Sequence, residues 1–130
     1  EMLAAALLHD VVEDTNIDIK TIELMFGPVV MNHVSWLTNI AVPGDGNRAT
    51  RKKINRVHTW SAPKQSQTIK VADVIANCSD IVIEDPKFAK TYLAEKRLFL
   101  EGANADEILM KRAWKIITDF EDKNHENTKN

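Results

Sequence analysis

The sequence has little of what several protein classes require. One cysteine among 130 residues excludes a disulfide framework within the chain and is typical of a reducing compartment. The longest apolar run, at residues 2–8, is far shorter than the roughly 20 residues of a membrane span. No basic segment precedes this run, as a signal peptide would require. We therefore expect a cytoplasmic protein without a membrane segment.

Neither sign of charge dominates the sequence. The 17 Lys and Arg residues stand against 19 Asp and Glu residues, which gives a net charge of −2. This balance provides no general attraction to nucleic acid or to an anionic membrane, and neither partner is expected. A chain of this length suits a single domain that buries roughly two-thirds of its unfolded surface. We expect a domain at 1–120 and a polar, disordered tail at 121–130.

Hydrophobic spacing predicts helices along the whole chain. Only four glycines and four prolines are present, and no segment alternates cleanly between apolar and polar residues. The fold class expected is therefore all-α. The predicted helices cover residues 1–14, 18–26, 29–39, 48–60, 65–81, 85–102 and 106–120. The side chains expected to face inward include Ile22, Met25, Phe26, Val30, Val34, Leu37, Ile69, Ala72, Ile75 and Ala76.

Four ionisable residues crowd the end of the first predicted helix. At helical spacing His9 faces Glu13, and Asp10 faces Asp14. Placing these groups on an otherwise apolar helix is costly unless they find partners. A divalent metal would satisfy them, because imidazole and carboxylate are common metal ligands. The alternative is that both later carboxylates are exposed and that His9 makes a hydrogen bond in the core.

Two further polar groups of residues lie later in the chain. Asp73 is placed on a predicted helix with Asn77 one turn after it and Lys70 three residues before it. By itself this pattern is better explained as a Lys70–Asp73 ion pair on a helix surface. A basic helix precedes this segment, and its cations either bind an anion or form a solvated face. They are Arg48, Arg51, Lys52, Lys53 and Arg56.

The order of these motifs resembles that of the HD metal-dependent phosphohydrolases. The His9-Asp10 doublet is similar to the doublet of that superfamily, and Asp73 is similar to its downstream ligand. Three segments narrow the resemblance to the hydrolase domain of Rel/SpoT alarmone enzymes and their small Mesh1-like relatives. These are residues 5–15 (AALLHDVVEDT), residues 26–30 (FGPVV) and residues 69–77 (IKVADVIAN).

The resemblance implies an HD-domain helical bundle and a metal-dependent hydrolase. Members of this group also use a His on a helix before the doublet; since no His precedes His9, the bundle is expected to lack its N-terminal helices. The resemblance assigns Mn²⁺ as the cofactor, held by His9, Asp10 and Asp73. It assigns Glu13 and Asp14 to positioning or activating the attacking water. The implied reaction removes the 3′-pyrophosphate from guanosine tetra- or pentaphosphate.

The resemblance also implies a set of substrate contacts. These are Asn77, Arg48, Arg51, Lys70, Tyr92 and Arg97. For the last two, the alternative is that the tyrosine packs on the core and that the arginine pairs with Glu101. Two other functions remain open, namely a phosphatase acting on another nucleotide and a module that binds a nucleotide or a protein without turnover. A homo-oligomer also remains open.

Overall fold

A computed structural model describes the backbone of residues 18–129 and the side chains of residues 18–125. Within this part of the chain, all regular structure is helical and no β-strand occurs. The helices, numbered from the first one described, are α1 (Ile19–Phe26), α2 (Pro28–Leu37), a 3₁₀ turn (Pro43–Asp45), α3 (Arg48–Trp60), α4 (Lys64–Glu84), α5 (Pro86–Gly102) and α6 (Glu107–Lys129). The predicted all-α class is confirmed. The helix predicted at 1–14 lies outside the described residues.

Local capping signals set the boundaries of α1 and α2. The Asp18 carboxylate accepts a hydrogen bond from the Thr21 backbone N–H at 2.9 Å, which satisfies one of the free donors at the start of α1. Gly27 ends α1 with a φ of 91°, a conformation that disfavours residues with a Cβ atom. Pro28 then takes the first position of α2, where it has no N–H to lose. The predicted break between these helices is therefore confirmed.

Packing differs from the prediction in α1. Ile22 is buried, but Met25 and Phe26, also expected inside, are 68% and 44% exposed. Ile22 is the residue of α1 that is buried in the hydrophobic core cluster of this region. An amphipathic pattern defines a stripe, but only the position of the neighbouring helix decides which part of that stripe is covered. The other members of the cluster are Val30, Val34, Leu37 and Ile69, as predicted.

The chain divides into two compact units, and the boundary between them lies within α4, after Lys70. The first unit contains α1, α2 and α3, and the second contains α5 and α6. None of the helices in the described residues is both long and apolar enough to cross a membrane. The extent of the predicted domain at 1–120 stays a prediction.

In the second unit, the buried stripe of α4 also differs from the one predicted. Val71, Val74 and Cys78 are buried, whereas Ala72 and Ala76 are exposed. Ile75, which was expected to face inward with these two alanines, is half-buried. The valines and the cysteine recur at helical spacing and bury more area than alanine would, which favours this face of the helix as the packed one.

Helices α5 and α6 form the rest of the second unit. Asp85 caps α5 by accepting a hydrogen bond from the Phe88 backbone N–H, and Asp106 caps α6 through the N–H groups of the next turn. Helix α6 continues as far as Lys129. The structure thus extends a helix through most of the segment for which the sequence predicts a polar tail.

A buried polar pair joins α2 to the first half of α4. His33 Nδ1 lies 2.7 Å from the Ser66 hydroxyl oxygen, and both side chains are buried. We expect Ser66→Ala to lower the free energy of unfolding by about 1–3 kcal/mol, because a buried imidazole nitrogen loses its partner. Urea denaturation measures the change.

Two variants control this experiment. Ser79→Ala removes an exposed hydroxyl from the same helix, and we expect a change within about 0.5 kcal/mol. His33→Leu in the Ser66→Ala background removes the unpaired group, and should recover part of the lost stability. A Ser66→Ala midpoint equal to that of the native protein would contradict the prediction.

Candidate functional site

The second half of α4 presents two predicted site residues on one side of the helix. Asp73 and Asn77 are four residues apart, which places them one above the other, away from the buried Val74 and Cys78. Asp73 is half-buried and Asn77 is exposed. Lys70 precedes Asp73 by three residues on α4 and is also half-buried. This edge of the helix is therefore polar and accessible to a ligand.

Helix α5 brings Tyr92 to this edge of α4. The Asn77 side chain acts on the pKa of Tyr92 by hydrogen bonding, and the charge of Asp73 acts on the same group, so both lie close to it. Both elements belong to the second unit. The structure thus brings together three residues that the sequence analysis selected from separate positions.

Burial strengthens the preference of Tyr92 for its neutral form. Desolvation of the half-buried phenol raises its pKa to about 12, and the charges that Cys78 and Asp73 carry when ionised act in the same direction. The hydrogen bond with Asn77 acts in the opposite direction. Tyr92 is therefore a neutral hydroxyl at physiological pH and is able to donate a hydrogen bond to a phosphate oxygen.

A lysine that the sequence analysis did not select completes this group. Lys96 Nζ lies 5.0 Å from the centre of the Tyr92 ring, one helical turn further along α5. The Phe88 ring, one turn before Tyr92, is 6.2 Å away from the tyrosine ring. The spacing of four residues from Tyr92 is the signal that could have identified Lys96. Asp73, Asn77, Cys78, Tyr92 and Lys96 are called the Tyr92 cluster below.

Cys78 forms the buried floor of the Tyr92 cluster. Desolvation raises the pKa of its thiol to about 11; Lys96 lowers it and Asp73 raises it by charge. The thiol is consequently protonated at physiological pH, and a protonated thiol is a poor nucleophile. Cys78 is buried and therefore acts as a small apolar side chain.

Arg97 is engaged by carboxylates within the second unit. Its Nη1 donates to both carboxylate oxygens of Glu121 in α6, at 2.8 and 2.6 Å, and its Nε lies 3.5 Å from Glu101. The hydrogen bond and charge of Glu121 raise the pKa of Arg97. The guanidinium also lies 5.5 Å from the Trp114 ring centre. These contacts include the predicted alternative, pairing with Glu101, and the substrate role of Arg97 stays a prediction.

The first unit contains a basic pocket at the start of α3. Asn47 caps this helix by accepting a hydrogen bond from the Thr50 backbone N–H at 2.9 Å. The cavity beside it has a volume of about 220 Å³ and is lined by Asn39, Ala41, Arg48, Arg51, Lys52 and Asn55. Three cations and two amides around one small cavity provide donors suited to a phosphate group. Lys53, by contrast, is exposed.

Asn55 holds the wall of this basic pocket in place. Its side-chain oxygen accepts hydrogen bonds from the backbone N–H groups of Ile40 and Ala41, each at 3.0 Å. The loop that follows α2 is thereby fixed against α3. The sequence does not reveal this role, because a single asparagine within a basic helix gives no periodic signal.

Most of the predicted metal-binding and catalytic groups lie outside the described residues. These are His9, Asp10, Glu13 and Asp14. Within residues 18–125, no three His, Cys, Asp or Glu side chains are grouped as a metal ion would require. Asp73 is therefore the predicted ligand whose surroundings are described. Its neighbours in the Tyr92 cluster include amide and hydroxyl oxygens, which are the hard donors that Mn²⁺ and Mg²⁺ accept.

Comparisons with curated proteins identify relatives with one shared description, guanosine-3′,5′-bis(diphosphate) 3′-pyrophosphohydrolase MESH1. The protein from Xenopus tropicalis is 37% identical over 81 residues, which cover 62% of this chain and 43% of the relative. The Drosophila melanogaster protein is 35% identical over 88 residues, covering 65% and 46%. The human protein is 34% identical over 83 residues, covering 62% and 43%.

Other comparisons give no match. No family model matches the chain, and no solved structure does. The chain spans less than half the length of the curated relatives that it matches. The resemblance to Mesh1-like proteins that the motifs predict is nevertheless confirmed: this chain is similar over most of its length to pyrophosphohydrolases of that description.

Proposed function

We propose that this protein hydrolyses guanosine tetra- or pentaphosphate and releases the 3′-pyrophosphate. The observation that carries the proposal is the similarity to four curated MESH1 pyrophosphohydrolases over three-fifths or more of the chain. The Tyr92 cluster supports it, because the cluster joins three of the selected residues around a carboxylate. The basic pocket supports it through its phosphate-binding donors.

A divalent metal, with Mn²⁺ as the candidate, would be held by His9, Asp10 and Asp73 in this proposal. The half-buried carboxylate of Asp73 suits such an ion, since it offers an anionic oxygen with limited access to bulk water. When bound, the ion would supply a bound water of lowered pKa and would neutralise charge on the phosphate.

The other residues bind the substrate and handle the proton. Glu13 or Asp14 accepts the proton of the attacking water. The Tyr92 hydroxyl and the Asn77 amide donate hydrogen bonds that orient the sugar or phosphate, and Arg48 and Arg51 bind phosphate oxygens. Water adds across the bond that is broken, so that one product carries a free 3′-hydroxyl and the other is inorganic pyrophosphate.

A turnover assay tests this function. Purified protein with Mn²⁺ is incubated with guanosine tetraphosphate, deoxynucleoside monophosphates and nucleoside triphosphates, and the products are separated by ion-exchange chromatography. We expect GDP and pyrophosphate from guanosine tetraphosphate. Release of phosphate from another nucleotide alone would instead support a different phosphatase. Absence of turnover, together with a melting temperature that Mn²⁺ does not raise, would support a module without catalysis.

A further inference from the structure

We propose that Lys96 is a phosphate-binding residue of the Tyr92 cluster and that it takes the pyrophosphate portion of the substrate. The assignment rests on the proposed function, which makes a polyphosphate the ligand. The inference comes from the position of Lys96 beside Tyr92.

The first support is geometric. Lys96 Nζ lies 5.0 Å from the centre of the Tyr92 ring. The ring of Phe88, one turn before Tyr92, lies 6.2 Å from the tyrosine ring on the same helix. Lys96 is half-buried, and its ammonium group lies over the face of the Tyr92 ring.

The second support is electrostatic. Lys96 and Asp73 both act by charge on the buried Cys78, with opposite signs, so both lie within reach of one point in the cluster. Asp73 and Glu95 both act on Tyr92 as negative charges. A polyphosphate placed against these two carboxylates would be repelled unless a cation stood beside them. Lys96 is a cation at that position.

The third support is the chemistry of the side chain. A lysine ammonium has three N–H donors on a flexible four-carbon stem, and it binds phosphate as a point charge. A partly exposed cation–π contact is weak, whereas a hydrogen bond from an ammonium group to a phosphate oxygen is charge-assisted and stronger. Tyr92 would then hold Lys96 close to the site before substrate arrives.

Binding of inorganic pyrophosphate tests the assignment without requiring turnover. Isothermal titration calorimetry in the presence of Mn²⁺ compares the native protein with Lys96→Met, which keeps the length of the side chain and removes its charge. We expect the dissociation constant to rise by about tenfold or more, as for the loss of one charge-assisted hydrogen bond. Lys96→Arg keeps the charge and should remain within about threefold of the native protein.

Lys87→Met is the matched control, because Lys87 is an exposed lysine on the same helix. It should leave the dissociation constant unchanged. Melting temperatures are recorded for every variant, and Lys96→Gln replaces Lys96→Met if the latter fails to fold. Equal affinity for pyrophosphate in the native protein and the uncharged Lys96 variant would overturn the assignment, as would a loss of equal size in Lys87→Met.

The two proposals fail in different ways. If guanosine tetraphosphate is not hydrolysed but pyrophosphate binding depends on Lys96, the proposed reaction is wrong and the anion site stands. If guanosine tetraphosphate is hydrolysed and Lys96→Met binds pyrophosphate normally, the reaction stands and the assignment of Lys96 is wrong.

Discussion

Asp73→Asn should lower kcat/KM for guanosine tetraphosphate on the order of a thousandfold. The substitution keeps the shape of the side chain but removes the negative charge that a divalent cation requires. Because the carboxylate is half-buried beside Tyr92 and Asn77, water cannot fully replace it. The rate of pyrophosphate release measures the loss, and the rise in melting temperature on adding Mn²⁺ should also become smaller.

Asp80→Asn provides the control for this prediction. Asp80 lies two turns after Asp73 on α4 and is exposed, so its replacement removes a carboxylate without touching the Tyr92 cluster. We expect its kcat/KM to stay within about twofold of the native value. Asp73→Asn with activity within tenfold of the native protein, at an equal melting temperature, would contradict the assignment of Asp73 as a metal ligand.

Helix boundaries were predictable from the sequence because local chemistry sets them. The bounds of α3, Arg48–Trp60, are those predicted, since a polar loop precedes the helix and a Pro-containing break follows it. Gly27-Pro28 between α1 and α2, and the Asp85 cap before Pro86, are signals of the same kind. Each of these boundary signals depends on only a few consecutive residues.

Burial was less predictable, because it depends on neighbours that are distant in the sequence. Helix α4 has two apolar stripes that could face the core. The structure buries the stripe with Val71 and Val74 and exposes the one with Ala72 and Ala76. The ion pair between Arg97 and Glu121 also joins residues 24 positions apart. No periodicity in a single chain reveals such a pairing.

In the candidate site, too, some residues could be predicted from the sequence and others could not. Motif spacing and family resemblance selected Asp73, Asn77 and Tyr92, and the structure places them in one cluster. Lys96 was not selected, although its spacing of four residues from Tyr92 places both side chains on one face of α5. Asn55 was missed because its role is to fix a loop that is fifteen residues earlier.

Replacement of both arginines of the basic pocket should have the second-largest effect on activity. We expect the Arg48→Ala and Arg51→Ala substitutions, combined in one protein, to raise KM for guanosine tetraphosphate by about a hundredfold. Both side chains line the cavity that also contains Lys52, and the loss of two charge-assisted hydrogen bonds to phosphate accounts for this size. Steady-state kinetics at fixed Mn²⁺ gives KM and kcat separately.

The division of the effect between KM and kcat identifies the role of the pocket. Cations that hold a phosphate equally in the ground state and the transition state raise KM when removed and leave kcat nearly unchanged. Lys53→Ala, which removes an exposed cation from α3, should alter neither constant. KM of the native protein should also rise more steeply with salt than that of the double variant, because fewer charges remain to be screened. A double variant with native KM and an unchanged salt dependence would place phosphate binding elsewhere and leave the basic pocket as a solvated surface of α3.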